Sequence, residues 1–181
     1  MKRESIERIE RVAERLRRKY RTSDPYELAE CMDCIVDLEE YPSLLGFCNV
    51  ILGVRVIGLN SNSDYYTRRC ACAHELGHLA LGHVRRAGFQ FGHASDIANM
   101  HSQLEAEANC FAASLLMSDE DTLEAIRAHD DAEVVAASMF VCPELLQAKV
   151  RILNAKGHDL RVPDLPPGGE WRHYVSQNCL W

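Results

Sequence analysis

The pentapeptide His74-Glu75-Leu76-Gly77-His78 constrains this chain more than any other feature of it. A run of turn and N-cap residues, Asn60-Ser61-Asn62-Ser63-Asp64, precedes it, and an apolar flank, Leu79-Ala80-Leu81, follows it. The pentapeptide therefore falls inside a helix predicted from about Asp64 to His83. Residues four apart share a helical face, so His74 and His78 can both reach one metal ion. Glu75 is one step around the helix and can lie beside the metal without ligating it, within hydrogen-bond reach of a bound water. Zinc lowers the pKa of such a water to about 7, so a carboxylate base can generate hydroxide at neutral pH. Gly77, with no side chain, lets another backbone segment approach closely.

A catalytic zinc has three protein ligands and one open position. Downstream, Leu104-Glu105-Ala106-Glu107-Ala108-Asn109 offers two carboxylates for the third place. Glu105 has Asn109 four residues on, whereas Glu107 has Phe111 at the same offset. A polar residue one turn from a ligand can orient a metal-bound histidine, which favours Glu105 over Glu107 and places Asn109 behind the metal. Two histidines and a glutamate would be a gluzincin-like ligand set. The competing reading is of ordinary helix-face histidines among solvated acids. An acidic helix downstream of H-E-L-G-H weighs against it.

The rest of the chain builds the support. A length of 181 residues suits a single compact unit. Ile6, Ile9, Val12, Ala13, Leu16 and Tyr20 recur at steps of three and four, an amphipathic helix. Thr22-Ser23-Asp24-Pro25 supplies an N-cap and a first-turn proline for a second helix, to about Cys31. Three short runs, Ile35–Leu38, Leu45–Ile51 and Arg55–Leu59, read as strands, the last two joined by a tight turn at Leu52-Gly53. The expected fold is α+β: a mostly helical, zincin-like domain with a small antiparallel sheet beside the active-site helix. Residues 84–100 read as a mobile loop, with a helix from about His101 to Met117 and further helices to about Lys156. The metallopeptidase domain would span 1–157, with a helix-turn-helix-like segment at about 119–156 and an irregular tail over 158–181.

Net charge is −7, which disfavours direct nucleic-acid binding and is compatible with a basic protein partner. No run of about 18 apolar residues would span a membrane, and the charged N-terminus is no secretory signal, so the expected compartment is the cytoplasm. The eight cysteines lack the regular framework of a small secreted domain and are expected to be reduced. Cys31-Met-Asp-Cys34 has no second pair at zinc-ribbon spacing and reads as structural or incidental. Cys70, Cys72 and Cys110 read as small buried fillers.

The two motifs together, His74-Glu-Leu-Gly-His78 and Glu105-Ala-Glu-Ala-Asn-Cys-Phe-Ala-Ala-Ser-Leu-Leu-Met117, resemble those of the ImmA/IrrE family of metallo-endopeptidases, as does the lead-in Ile57-Gly-Leu-Asn60 with Arg68-Arg69. The resemblance is strong from about Val54 to Met117. The family pattern keeps glutamate at the position of Glu105 and tolerates glutamine at that of Glu107, which implies Glu105 as the ligand. It further implies an intracellular protease, often of a mobile genetic element, that cleaves a helix-turn-helix transcriptional repressor and releases its genes. Ser118 stands where the family often has proline, at a helix boundary that carries no chemistry. The alternative is a non-proteolytic module that sequesters a repressor and has no use for Glu75.

Some neighbours stay open on sequence alone. His83, five residues beyond His78, is rotated off the metal face of a continuous helix and suits a helix end. An oxyanion needs a donor, and His93, His101, Tyr65 and Tyr66 are the candidates. Between Asp131 and Leu153, two apolar-patterned helices flank Pro143, with Lys149, Arg151 and Lys156 a weaker basic cluster than a DNA-reading helix presents.

Overall fold

The computed structural model describes residues 1–41, 44–84 and 94–161, with the backbone alone over 94–102. Among them are seven helices and three strands. Helix α1 (Arg3–Tyr20) buries Ile6, Ile9 and Ala13, the stripe its apolar spacing predicts, and carries Arg17, Arg18 and Lys19 at its carboxyl end, where cations suit the helix dipole. The Asp24 carboxylate accepts the backbone N–H groups of Tyr26 and Glu27 and starts α2 (Pro25–Cys31), with proline in the first turn.

Strands β1 (Cys34–Glu39), β2 (Gly46–Ile51) and β3 (Val54–Asn60) form one sheet in the order β1-β3-β2. The β2–β3 hairpin is antiparallel and turns at Leu52 and Gly53, both at positive φ (50° and 85°), as a two-residue turn that matches strand twist requires. Strand β1 pairs parallel to β3, so the sheet is mixed and not wholly antiparallel. The reason lies at the Asn60 end of β3. The Asn60 amide donates to the Tyr41 and Leu44 carbonyls (2.7 and 2.8 Å), its backbone N–H to Leu45, and that of Ser61 to Glu39. These bonds hold the β1–β2 connection across the end of β3, which puts β3 between the other two strands. The Phe47 ring lies over Gly58, where a Cβ would meet it at 2.2 Å.

Helix α3 (Tyr65–Leu81) is capped by Asp64 and ended by Gly82, left-handed at φ 73°. Every residue from Cys70 to Gly77 is buried, so this helix runs through the middle of the molecule, not along its surface. It packs against Ile57 and Leu59 of the sheet on one side and against α4 (Ala94–Leu116) on the other. Helix α4 therefore starts seven residues before the expected His101, and the expected loop is helical from residue 94 on. Ser95-Asp96 is a helix-start sequence as readily as a loop sequence. Residues 85–93 lie outside the described ones.

Three further helices, α5 (Asp119–Ala128), α6 (Ala132–Ser138) and α7 (Pro143–Ala155), complete the chain. Ser118 caps α5 and Asp131 caps α6. Helix α7 buries Leu145, Leu146, Val150, Ile152 and Leu153, packs on α4, and buries Lys149 with them. The Lys149 ammonium donates to the Met117 carbonyl (2.8 Å) and to Asp119 (2.6 Å). Cys70, Cys72 and Cys110 are buried, and every cysteine among the described residues is a free thiol. Of the 158–181 segment, residues 162–181 lie outside the description.

Candidate metal centre

The site lies where α3 and α4 approach most closely. A Cβ on Gly77 would meet the Ala108 carbonyl oxygen at 3.0 Å and its Cα at 3.2 Å, so the glycine sets the distance between the two helices. Across that contact, His74 and His78 of α3 face Glu105 of α4. The two Nε2 atoms stand 3.0 Å apart. Glu105 offers one carboxylate oxygen to His74 Nε2 at 3.1 Å and the other to His78 Nε2 at 3.4 Å. These are the His/Cys/Asp/Glu side chains among the described residues that group closely enough to hold a metal ion. Four donors arranged tetrahedrally around a metal at bond lengths near 2.1 Å would stand about 3.4 Å from one another, so the observed triangle needs only slight expansion to admit one.

The donor set also calls for a cation. The Asn109 side-chain oxygen lies 2.8 Å from His74 Nδ1. An oxygen there accepts, so the Nδ1 is the protonated nitrogen and the Nε2 lone pair points at the other ligands; this tautomer follows from the network. Two imidazole lone pairs and a carboxylate converging within such distances repel unless a proton or a metal sits among them. The electrostatics of the metal-free site say the same. Burial opposes charge on His74, but its hydrogen bond to Glu105, with the Glu75 charge beside it, outweighs burial and raises the imidazole to about 9. Burial likewise opposes charge on Glu105, yet the two histidines hold its carboxyl far below the usual range.

The placements separate the candidates. His74, His78 and Glu105 come together, and Asn109 stands behind His74. Glu107 is turned away from the triangle. Its Oε2 accepts from Arg8 of α1 at 2.9 Å and its Oε1 from Gln103 at 3.0 Å, and Gln103, Arg8 and His83 outweigh burial to keep its carboxyl below the ordinary value. Tyr65 and Tyr66 do not line the centre. They occupy the first turn of α3, about 12–14 Å along the axis from His74 by helical rise, where Tyr65 stacks on Tyr26 and Tyr66 on Phe140. The side chain of His101 and the whole of His93 fall outside the described residues. His83 does not point away, as a continuous helix would have it. The left-handed Gly82 ends α3 and folds His83 back, so that its Nδ1 lies 3.1 Å from His78 Nδ1.

Sequence reasoning missed Cys48. It sits on β2, and its thiol hydrogen-bonds Glu75; burial first, then the Glu75 charge, push the thiol well above its normal pKa, so it donates. Nothing in the spacing of the eight cysteines marked this one, because the contact is made across the sheet–helix interface.

A buried H-E-x-x-H helix, a carboxylate supplied by a second helix and a small sheet alongside define a metallopeptidase. The family described as the IrrE N-terminal-like domain, peptidase M78, matches residues 37–151, and the chain belongs to it. An uncharacterized immunity region protein 2 of Bacillus phage phi105 is 34% identical over 112 residues, which cover 61% of this chain and 69% of that protein. No helix among the described residues is long and apolar enough to cross a membrane.

Proposed function

We propose that the chain is a zinc-dependent endopeptidase of gluzincin-like ligand set, acting in the cytoplasm, whose substrate is a helix-turn-helix transcriptional repressor. The observation that carries the chemistry is the convergence of His74 Nε2 and His78 Nε2, 3.0 Å apart, on the Glu105 carboxylate, which meets the first through one oxygen at 3.1 Å and the second through the other at 3.4 Å. Imidazole and carboxylate donors in a four-coordinate arrangement suit zinc among the first-row metals. Zinc, when bound, would act as a Lewis acid and lower the pKa of a water in its open position. His74, His78 and Glu105 hold the metal, and Asn109 fixes the orientation of His74. Glu75 takes the proton of the attacking water and passes it to the leaving amine, with the Cys48 thiol holding its carboxylate in place.

The sheet supplies a seat for the substrate backbone. Strand β2 is an edge of the sheet, and its Gly46 and Cys48 lie against Glu75. An extended peptide can add to that edge through main-chain hydrogen bonds. The repressor as substrate rests on the family resemblance, and the similarity to a phage immunity region protein supports it. The helix-turn-helix-like segment at about 119–156 belongs, on this reading, to one peptidase domain over 1–157 and serves structure or partner docking. Two of its basic residues are engaged within the chain, since Lys149 pairs with Asp119 and Lys156 with Asp119 and Glu10.

The test is co-expression with a helix-turn-helix repressor encoded beside this gene. Wild type should yield a discrete cleavage product, and Glu75→Gln should retain zinc by elemental analysis and yield none. Cleavage by Glu75→Gln at the wild-type rate removes Glu75 as the base. Derepression by Glu75→Gln without any product would instead establish the sequestering module.

A further inference from the structure

We propose that His83 and Glu107 form a positioning relay behind His78, which holds that ligand in the tautomer and orientation a metal requires. The inference rests on the reading of His74, His78 and Glu105 as a metal centre and adds to it the residues that stand behind His78. Both groups are ionisable and almost wholly enclosed, His83 at 2% exposure and Glu107 at 3%. Burying such a pair is unfavourable unless its polar atoms are engaged, and the contacts between them link into one chain. His83 Nδ1 lies 3.1 Å from His78 Nδ1, and His83 Nε2 lies 3.4 Å from Glu107 Oε2. Glu107 accepts from Arg8 and Gln103 as well.

The direction of the hydrogen bonds follows from one end. A carboxylate that receives a guanidinium and an amide N–H is an acceptor, so His83 Nε2 is the nitrogen that carries the proton toward it. In the tautomer with its proton on Nε2, His83 presents a lone pair at Nδ1, which accepts from His78 Nδ1–H. That leaves the Nε2 of His78 unprotonated, aimed at the His74 and Glu105 donors. Metal-bound histidines are commonly fixed in this manner by a partner on the far nitrogen. His74 has Asn109 in that role, and His78 has His83. The two ligands are thus oriented from different elements: Asn109 from α4, and His83 from the turn after α3. Through Arg8, α1 is joined to the site as well, although none of its side chains belongs to the triangle.

Cobalt(II) distinguishes this role from a purely structural one, because its visible absorption reports ligand geometry. The full chain and the variants His83→Phe, Glu107→Leu and Glu107→Gln are titrated with cobalt against a chromophoric chelator, with circular dichroism and thermal melts recorded in parallel. His83→Phe and Glu107→Leu should weaken cobalt binding about 10–100-fold and shift the visible bands. Glu107→Gln keeps an oxygen to accept from His83 Nε2–H and should restore the wild-type spectrum with affinity within a few-fold. Variants that melt lower yet bind cobalt with wild-type affinity and spectrum would overturn the relay and leave the metal centre standing. A wild-type chain that binds no stoichiometric cobalt would overturn the metal centre and the relay with it.

Discussion

Gly77→Ala tests the claim that close helix contact sets the geometry of the centre. A Cβ at this position would lie 3.0 Å from the Ala108 carbonyl oxygen, 3.2 Å from its Cα and 3.2 Å from a Phe111 ring carbon. Two of the three are backbone atoms of a buried helix and cannot swing aside. Restoring contact distances of about 3.5 Å requires α3 and α4 to separate by roughly 0.3–0.5 Å. Overpacking of this kind costs about 1–3 kcal/mol, offset by about 1 kcal/mol of improved helix propensity. The net loss of about 1 kcal/mol should lower the melting temperature of the metal-free protein by about 2–4 °C. The larger consequence falls on the site. His74 and His78 ride on one helix and Glu105 on the other, and metal–ligand distances tolerate only about 0.2 Å of error. Metal affinity should therefore fall at least about tenfold, measured by chelator competition on protein matched for folded fraction. Gly77→Ala with an unchanged or raised melting temperature and wild-type metal affinity would refute the argument.

Other perturbations follow from the same geometry. Asn109→Ala removes the acceptor 2.8 Å from His74 Nδ1 and should weaken metal binding about 10–100-fold by the same titration, while the loss of the buried hydrogen bond lowers the melting temperature of the chain by roughly 2–8 °C. His74 is raised from 6.5 to about 9 without metal, so its charged pairing with Glu105 stabilises the metal-free fold fully below pH 6.5 and is lost as pH rises through about 9. Metal must displace that proton, so affinity should climb about tenfold per pH unit between those limits; a flat profile by calorimetry would exclude the linkage. Asp119→Ala strands the buried Lys149 charge. Since Asp119 is about one-third exposed and Lys149 keeps the Met117 carbonyl, the loss should be about 2 kcal/mol in urea unfolding, below the 3–5 kcal/mol of a fully enclosed pair. Asp119 sits below its ordinary 3.8 because its two lysines outweigh burial, so the contribution is present above pH 3.8 and lost as pH falls beneath it.

By itself the sequence determined whatever depends on local periodicity and residue chemistry. The four-residue spacing of His74 and His78, the starts of α2 and α3 after runs of capping residues, the buried stripe of α1 and the polar residue one turn beyond Glu105 are all local features. A helix repeats every 3.6 residues and a ligand must be of a suitable type, and both facts are legible in one dimension. The tertiary structure decided what depends on chain direction and on contacts between elements. Asn60 carries the β1–β2 connection across β3 and makes the sheet mixed, a choice that strand patterns alone do not encode because either direction of β1 alternates its side chains alike. Gly82 breaks the period by which His83 would have rotated away and returns it to His78. Cys48 reaches Glu75 only because β2 packs on α3, and Arg8 reaches Glu107 only because α1 packs on α4. Ninety-nine residues separate that last pair, and no spacing rule extends so far, since only packing of the buried faces brings such residues together.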